Sequence, residues 1–322
     1  MNKKYSETER LRAYDGDCSV LPNASPNSWL PRRLISLNRK EIRNAIKKRL
    51  PDWYFVIQEW RKVHGRFPNF LWPATFNEKV LHRILFDRRP VLTQFADKFA
   101  VRSYVEQRIG SKILPKSYYL TKRPETIPFD ELPDKFVVKP THGCGWVQIV
   151  TDKSTLDRTA LVQKCLGWLN QSYYEKTREW AYKNVEPRIL VEEFVDEGSG
   201  TAPYDYKLFV FDGTVELVQV DAGRFGDHRR RLYTPAWQEM DARFGESEKI
   251  VDDVARPRNL AAMIAAAETL GRGLDFVRAD FYDTGDRIYL GELTMTPGCG
   301  HNRFRPRELD LYFGERWKLR TG

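Results

Sequence analysis

The sequence predicts an α+β fold in which antiparallel hairpins alternate with helices. Residues 205–211 and 214–220 have the apolar and aromatic composition of strands, and Asp212-Gly213 between them is a dipeptide typical of tight hairpins. A second hairpin pattern spans residues 276–294. The regular βαβ rhythm of a doubly wound sheet is missing. The sequence contains neither GxGxxG after a strand nor GxxxxGK followed by Ser or Thr, which excludes the Rossmann and P-loop fingerprints.

The length and composition are those of a folded protein. The chain has 322 residues, of which 41% are hydrophobic and 13% aromatic, enough for one large domain or two modest ones. No apolar run approaches the roughly 20 residues that span a bilayer, and the N-terminal residues lack the apolar segment of a signal peptide. We therefore expect a soluble cytoplasmic protein.

The balance of charge favours anionic partners. The chain carries 53 Lys and Arg residues against 44 Asp and Glu residues, a formal net charge of +9. Such an excess suits nucleotides, phosphorylated lipids, acidic polysaccharides or nucleic acids, and by itself it does not choose among them. The 4 cysteines form no CxxC pair, so the sequence indicates neither a zinc knuckle nor a dithiol redox motif.

Residues 1–70 are predicted to form a basic N-terminal extension that is disordered at first and then helical. The first 30 or so residues are polar and rich in Asn, Ser, Pro and Asp. Farther on, Ile42, Ile46 and Leu50 recur at every fourth position with basic residues on the other faces, which predicts an amphipathic basic helix. We expect this helix to pack on the main domain. Peripheral contact with a membrane surface, or with an acidic glycan, is the alternative.

Two helices are predicted in the region that follows. Thr75 and Glu78 have the spacing of a capping box, in which each residue satisfies a backbone N–H of the other, and they begin the first helix. The second helix covers about residues 92–109, displays Asp97-Lys98 and ends at Gly110.

The middle of the chain alternates between strand and helix patterns. Residues 133–152 are predicted to form a hairpin around a glycine-rich turn, and a long helical stretch follows over about 155–184. Residues 188–195 read as a buried strand that ends in acidic residues. An Ala-rich helix is predicted over about 258–270, just before the second hairpin.

The second hairpin carries two carboxylates inside apolar strands, Asp280 and Glu292. Burying an unpaired charge is costly, so such carboxylates usually bind a cation. A three-residue loop at 284–286 would place both on one face, diagonally and roughly 7–8 Å apart, together with Arg278. A two-residue loop would send them to opposite faces. The alternative interpretation is a surface hairpin whose charges face water.

Two strand lysines also require an anion. Lys139 is flanked by valines and a proline, and Lys207 lies in a similarly apolar strand. The loop Thr141–Gly145 is rich in glycine and could direct backbone N–H groups at phosphate oxygens, although an ordinary β-turn fits this loop as well. Residues Glu192–Val195, at the end of a strand, could provide backbone groups for an adenine and a carboxylate for a ribose.

Taken in order, these motifs resemble the ATP-grasp superfamily, and more closely the TupA-like ATP-grasp family of bacterial cell-surface polysaccharide and teichuronopeptide biosynthesis. The likeness covers about residues 50–315 and depends on the order and spacing of the motifs. The motifs are DK (Asp97-Lys98), FVVKPTHGCG (Phe136–Gly145), EEFV (Glu192–Val195), DYKLFVFDG (Asp205–Gly213), VRADFY (Val277–Tyr282) and GELTMTPGCG (Gly291–Gly300), with PATFNEKV (Pro73–Val80) before them and RFRP (Arg303–Pro306) after them.

The resemblance implies ATP held between two α+β subdomains with antiparallel sheets. The implied domain covers residues 71–318, with a smaller lid subdomain at about 133–191. Arg278 and Lys207 are the implied catalytic residues. The implied ligands of one or two Mg²⁺ ions are Asp280, Glu292 and Thr294, the last of which stands where most of the superfamily has Asn. The implied nucleotide contacts are Lys98, Lys139, His142, Gly143, Cys144, Gly145, Glu192, Glu193, Phe194, Val195 and Lys207.

The resemblance also implies an activity, that of an ATP-dependent carboxylate–amine ligase. A carboxylate attacks the γ-phosphate of ATP to give an acylphosphate, and an amine then displaces phosphate to form an amide. The implied partners are an amino acid or peptide and an acidic, uronic-acid-containing glycan or its lipid- or nucleotide-linked precursor. The implied location is the cytoplasm, including the inner face of the membrane. The positively charged segment Arg224–Arg231 is predicted to be mobile. Its run Arg229-Arg230-Arg231 is compatible with an acidic acceptor, and a solvated loop explains the run equally well.

Three alternatives stand beside the ligase. A kinase on the same fold would transfer phosphate to a sugar or lipid-linked hydroxyl and stop there. A glycosyltransferase of polysaccharide biosynthesis would use a nucleotide sugar. A basic nucleic-acid-binding protein is disfavoured, because the strand lysines do not form one continuous exposed stripe, and we expect no nucleic-acid partner.

Overall fold

The computed structural model describes residues 49–196, 204–223, 229–245 and 254–320. The predicted basic helix around Ile42 and Ile46 lies outside these described residues. Within them the chain alternates between helices and antiparallel strands, which confirms the predicted α+β class. None of the helices in these four ranges has the length and apolar character that a membrane crossing requires.

From Asp52 onward, four helices precede the first described strand. They are α1 (Asp52–His64), α2 (Phe76–Phe86), α3 (Pro90–Ala96) and α4 (Ala100–Ile109). The capping box predicted at the start of α2 is confirmed: the Thr75 hydroxyl accepts the Glu78 N–H at 3.3 Å, and a Glu78 carboxylate oxygen accepts the Thr75 N–H at 3.3 Å.

The prediction of one helix over 92–109 is wrong, because the chain breaks between α3 and α4. The carboxylate of Asp97 accepts the backbone N–H groups of Phe99 at 2.8 Å and of Ala100 at 3.1 Å, and so caps the start of α4. Arg188, from a distant part of the chain, holds the other Asp97 oxygen at 2.8 Å. The break leaves Lys98 between two helices.

A four-stranded antiparallel sheet follows. Its strands are β1 (Ser117–Thr121), β2 (Phe136–Pro140), β3 (Gln148–Val150) and β4 (Ile189–Glu193), in the spatial order β1-β4-β2-β3. The β2–β3 pair is the hairpin predicted over 133–152. Between β3 and β4, the predicted helical stretch forms α5 (Arg158–Leu169), α6 (Tyr173–Thr177) and a short turn, Trp180–Tyr182. The side chains of α5 and the sheet share one apolar core.

A five-stranded antiparallel sheet forms the larger half of the described structure. The remaining strands are β5 (Asp205–Phe211), β6 (Thr214–Ala222), β7 (Arg229–Tyr233), β8 (Arg243–Phe244), β9 (Phe276–Asp283), β10 (Ile288–Thr294) and β11 (Phe304–Arg305). The sheet order is β10-β9-β5-β6-β7, and β8 pairs with β11. The last helices are α7 (Leu260–Gly271) and α8 (Glu308–Arg316).

Both faces of the five-stranded sheet are covered. Along β5, Leu208 and Val210 point into the core that contains α7, whereas Phe209 and Phe211 point into the core formed with α1, α2 and α8. Because side chains alternate along a strand, Lys207 lies on the same face as the two phenylalanines. One face of this sheet is therefore aromatic at one end and charged at the other.

A buried ion pair fixes α2 to this sheet. The guanidinium of Arg83, which is 1% exposed, contacts the Asp275 carboxylate at 2.6 Å. The same guanidinium donates to the carbonyl oxygens of Phe276 at 3.1 Å and Met295 at 3.0 Å. Asp275 also accepts the indole N–H of Trp317 at 3.0 Å. Burial acts to raise the pKa of Asp275, but its cationic and hydrogen-bonding partners outweigh burial and hold the pKa at about 2.

The predicted mobility of the arginine run is wrong for Arg229–Arg231, which belong to β7. Arg230 donates to Asp221 at 2.7 Å, and Arg231 donates to Glu239 at 2.6 Å. Each of these two arginines thus has a carboxylate partner from another segment. Residues 224–228, the rest of that predicted segment, lie outside the described ranges.

Candidate functional site

The β9–β10 hairpin places its two acidic residues directly opposite each other. The loop between the strands has four residues, since Asp283 pairs with Ile288, so a regular ladder would have turned Glu292 away from Asp280. A bulge at Gly291 adds one residue to β10, and beyond it Asp280 pairs with Glu292 and Arg278 with Thr294. The predicted shared face is confirmed, but the predicted three-residue loop and diagonal relationship are wrong.

The bulge depends on a glycine. A Cβ atom at Gly291 would lie 2.9 Å from the ring of Tyr282, closer than carbon atoms normally approach. Before the bulge, Leu290 points into the core that contains α7, and after it Leu293 does so. This change from even to odd positions is what brings Glu292 and Thr294 to the charged face.

Asp280 is held by two cations. The guanidinium of Arg278 binds it through two hydrogen bonds of 2.7 Å, and Lys207, its direct partner on β5, donates to it at 3.1 Å. Burial acts to raise the pKa of Asp280, but the charges of Arg278 and Lys207 outweigh burial and lower it. Arg278 also donates to the Thr294 hydroxyl at 3.2 Å. The carboxylate is therefore ionised, and the arginine is fixed in orientation.

Lys207 lies among three carboxylates. Its ammonium group contacts Asp205 and Asp280, and the Asp221 carboxylate lies 3.8 Å away. All four side chains are buried, with exposed fractions of 6% or less. The predicted need of Lys207 for an anion is thus met by the protein itself, and Asp205 and Asp221 are members of the site that the sequence reasoning missed.

Lys139 and Lys98 approach this face from the four-stranded sheet and the α3–α4 break. Lys139 forms an ion pair with Glu192 on the adjacent strand. Lys98 donates to the carbonyl oxygen of Gly143. Burial lowers the pKa of Lys98, and the carboxylate of Glu292 is the strongest influence in the opposite direction. Lys98 therefore lies within electrostatic reach of the acidic hairpin.

The glycine-rich loop is shaped by close packing. A Cβ atom at Gly143 would lie 2.6 Å from the Trp146 ring, so only glycine fits there, and Gly145 has a φ of +77°. In the part of the chain that the structure describes, the backbone N–H groups of Gly143 and Gly145 donate to no protein acceptor. They are free to bind an anion, as predicted for a phosphate loop.

His142, at the start of this loop, is engaged elsewhere. Its Nε2 lies 3.1 Å from the carbonyl oxygen of Trp168 and 3.2 Å from that of Gln171, at the end of α5, and burial lowers the pKa of the imidazole. The Nε2 atom of His142 therefore contacts the segment at the end of α5, and the assignment of His142 to nucleotide binding stays a prediction.

Residues Glu192–Val195 lie where β4 ends. The Glu193 carboxylate accepts the Tyr289 hydroxyl of β10 at 3.2 Å and the Lys116 N–H at 2.9 Å, so it joins the two sheets. Beside it is an open depression of about 530 Å³ that also contacts Phe99 and Arg287. Phe194 and Val195 follow the strand directly and are partly exposed.

A second, smaller cavity of about 140 Å³ lies beside Arg278, one of the two predicted catalytic residues. Its walls include Cys144 from the glycine-rich loop, Arg278 from β9, and Glu292 and Thr294 from β10. Glu179 lines the same cavity, and no sequence pattern marked this residue.

The family model described as TupA-like ATPgrasp matches residues 78–318, well over half of the chain. The chain belongs to the TupA-like ATP-grasp family. No curated protein matches it.

The solved structures similar to this TupA-like ATP-grasp protein include three ligases. D-alanine–D-alanine ligase from Bacillus anthracis, complexed with ATP, has 17% identity and a TM-score of 0.40, with 64% of this chain and 57% of that chain covered. The Helicobacter pylori D-alanine–D-alanine ligase has 16% identity and a TM-score of 0.39, with 70% and 62% covered. VanG D-Ala:D-Ser ligase from Enterococcus faecalis has 16% identity and a TM-score of 0.39, with 65% and 55% covered. The chain thus spans less than two thirds of each.

The residues present fit a Mg²⁺ ion that is shared with a nucleotide. Among the described residues, no group of three or more His, Cys, Asp or Glu side chains is arranged to hold a metal by itself. Mg²⁺ in nucleotide sites, however, is usually bound by one or two carboxylates together with phosphates and waters. Asp280 and Glu292, opposite each other on one face, provide those two carboxylates.

Proposed function

We propose that this protein is an ATP-dependent carboxylate–amine ligase that acts through an acylphosphate. The observation that carries the proposal is the direct pairing of Asp280 with Glu292, next to Arg278 and Lys207 and facing the glycine-rich loop. This arrangement combines oxygen ligands for a metal with fixed cations for a phosphoryl group, and it contains no side chain that must become covalently modified.

ATP would lie between the two sheets. The free N–H groups of Gly143 and Gly145 would bind phosphate oxygens, and Lys98 and Lys139 would neutralise the phosphate charge. Lys139 would exchange its partner Glu192 for a phosphate, at no loss of charge pairing for the lysine. The depression beside Glu193 is large enough for an adenine, and the backbone of Phe194 and Val195 would bind its edge.

The residues around the γ-phosphate would act by position and charge. Arg278 is held by Asp280 and Thr294, so its guanidinium would meet the transferring phosphoryl group with little reorganisation. Asp280 and Glu292 would hold Mg²⁺, with Thr294 as a neutral oxygen beside them. When bound, Mg²⁺ would neutralise charge on the phosphates. Lys207 would compensate the charge of Asp280 and its neighbours before and after the reaction.

We further propose an amino acid or peptide as the amine and a uronic acid of a surface polysaccharide, or of its precursor, as the carboxylate. The net charge of +9 supports an acidic acceptor. The activity would take place in the cytoplasm. Contact of the basic N-terminal residues with the inner face of the membrane would place the enzyme beside a lipid-linked precursor.

A trapping assay tests the ligase. The purified protein is incubated with MgATP, glucuronic acid and hydroxylamine, and hydroxamate and free phosphate are measured together. A ligase gives both products in equal amounts, because hydroxylamine intercepts the acylphosphate. Lipid-linked and nucleotide-linked uronic acids are tested in the same way. A stable phosphorylated product without free phosphate would refute the ligase proposal and indicate a kinase.

A further inference from the structure

The 140 Å³ cavity beside the proposed phosphoryl-transfer site is lined in part by residues to which the proposed ligase mechanism assigns no role. Arg278, Glu292 and Thr294 of the β9–β10 hairpin line it. Glu179, Tyr173 and Tyr182, from the segment between β3 and β4, line it as well, together with Thr296. A cavity of this size holds a group about as large as benzene.

Glu179 is a buried carboxylate with neutral partners. It is 4% exposed, and it accepts hydrogen bonds from the Thr296 hydroxyl and from the Cys299 thiol, the latter at 3.2 Å. In the four described ranges, no Lys, Arg or His lies within 4.0 Å of it. The adjacent Arg178 instead pairs with Asp52 at 3.2 Å.

Burying such a carboxylate destabilises the folded protein. Burying a charge without an opposite charge beside it is unfavourable, and it favours uptake of a proton by the carboxylate. Burial raises the pKa of Glu179, the hydrogen bonds from Thr296 and Cys299 offset only part of this effect, and the nearby charge of Glu292 adds to it. Glu179 therefore lacks a cationic partner of its own within the described residues.

The aromatic residues of the wall favour the same kind of ligand. The rings of Tyr173 and Tyr182 lie 4.6 Å apart, and both line the cavity with Glu179. Aromatic faces attract cations, and an organic ammonium group can contact a ring and a carboxylate at the same time. A strongly hydrated metal ion gains nothing from the rings.

We propose that Glu179 binds the ammonium group of the amine substrate, in a subsite that admits a small primary amine such as an amino acid with a short side chain or the terminus of a peptide. The inference rests on the proposed ligase function, because it makes the cavity the place from which the amine reaches the acylphosphate. Arg278 and Glu292 line the same cavity, so the ammonium would lie next to the reacting phosphoryl group.

A binding experiment with wild-type protein and Glu179→Gln tests the proposal. Ethylammonium chloride is the probe, and tetramethylammonium chloride and sodium chloride at equal ionic strength are the reference salts. In the presence of MgATP, we expect ethylammonium to raise the Tm of the wild type more than the reference salts do. Glu179→Gln should weaken the apparent affinity for ethylammonium by at least about tenfold, since it removes the charge and keeps the shape.

Two further variants keep the test specific. Glu175→Gln changes an exposed carboxylate four positions away and should bind ethylammonium as the wild type does. Glu179→Asp keeps the charge and should retain part of the binding, which covers the case in which Glu179→Gln does not fold. Equal shifts of Tm by ethylammonium in the wild type and in Glu179→Gln would overturn the proposal. So would a Mg²⁺-induced shift that depends on Glu179 while the ethylammonium shift does not.

The affinity for MgATP, measured by calorimetry, separates this inference from the ligase. We expect wild type and Glu179→Gln to bind MgATP equally, because the hydrogen-bond partners of the Glu179 carboxylate are Thr296 and Cys299, neither of which is assigned to MgATP. If the wild type does not bind MgATP, the proposed function fails. If both proteins bind MgATP but neither discriminates ethylammonium from the reference salts, the inference about Glu179 fails and the ligase stands.

Discussion

Asp280 and Glu292 face each other across the β9–β10 ladder because Gly291 is an extra residue in β10. If Gly291 instead paired with Asp280 in a regular ladder, Glu292 would pair with Ala279 and would point into the apolar core behind the sheet. One glycine thus decides whether the hairpin presents one carboxylate or two on its charged face. The proposed metal site depends on this local irregularity as much as on the acidic residues themselves.

Glu292→Gln is expected to abolish Mg²⁺-dependent ATP turnover, with a loss of at least about 100-fold. The amide keeps the shape of the side chain but loses the charge that a metal ion requires. Within the described residues, Glu292 takes part in no ion pair, so Tm should change little. Asp286→Asn, an exposed change in the loop of the same hairpin, is the matched control. Normal turnover in Glu292→Gln would refute the metal assignment.

Lys139→Ala should weaken ATP binding by about tenfold or more while the protein stays folded, because the lysine is only partly buried and its loss leaves Glu192 at the proposed phosphate site. Calorimetric titration with ATP and the circular dichroism spectrum give the two readouts. The control is Lys135→Ala. Lys135 is an exposed lysine just before β2, the strand of Lys139, and it pairs with Asp196, so its removal should leave ATP binding unchanged. An unaltered ATP affinity in Lys139→Ala would remove this lysine from the site.

Two glycine-to-alanine changes should have opposite effects. Gly143→Ala forces the Trp146 ring to move, because the new methyl group would lie 2.6 Å from it, and we expect lower ATP affinity and a lower Tm. Gly167→Ala lies inside α5, with no atom within 4 Å of the new methyl group. It should raise the free energy of unfolding by about 0.5–1 kcal/mol and leave ATP binding unchanged. Urea denaturation and ATP titration of both variants check the contrast.

Asp275→Asn should destabilise the fold by up to roughly 3–5 kcal/mol, because it removes the closer counter-charge of the buried Arg83 and leaves only Asp87, at 3.5 Å. The free energy of unfolding from urea denaturation at neutral pH measures the effect. Asp212→Asn removes the carboxylate of an exposed ion pair with Arg320 and should cost less than about 1 kcal/mol. Similar losses in the two variants would contradict the role assigned to the buried pair.

His64 should make the protein less stable in mild acid. Burial lowers the pKa of its imidazole from 6.5 to about 4, an effect that its hydrogen bond to the Gly300 carbonyl only partly offsets. Between these pH values the unfolded chain binds a proton that the folded protein does not, so stability falls as the pH drops from 6.5 towards 4. Since the ring is partly exposed, we expect at most roughly 2 kcal/mol.

The pH dependence of the free energy of unfolding, measured for wild type and His64→Gln, checks this expectation. The variant should lose less stability over that interval than the wild type. His82→Gln, on the next helix, changes a histidine whose ring bonds to the Phe70 carbonyl and serves as the control. A His64→Gln profile parallel to that of the wild type would contradict the assignment.

Short-range signals in the sequence were sufficient for much of the fold. The Asp212-Gly213 hairpin and the Thr75 capping box depend on neighbouring residues alone, and both are present as predicted. The break between α3 and α4 was missed because the Asp97 cap is supported by Arg188, about 90 positions away.

The candidate site divides in the same way. Strand lysines and acids could be identified from their apolar surroundings, and the structure brings Lys98, Lys207, Asp280 and Glu292 towards one face. The bulge at Gly291 could not be identified from the sequence, because it depends on packing against Tyr282. Glu179 lies in a polar stretch without periodicity, and only the folded chain places it beside Thr296. The assigned roles in nucleotide and metal binding stay predictions.

The His64 ring donates a hydrogen bond to the Gly300 carbonyl at 2.8 Å, and this bond connects α1 to the turn Pro297–Gly300, which contains Cys299. Trp60 of the same helix stacks on His64 at 3.8 Å and is completely buried. This helix therefore cannot be exchanged as an independent module between related proteins. A chimera that takes α1 from another protein would also need that protein's matching turn. We expect substitutions in the two segments to occur together among related proteins.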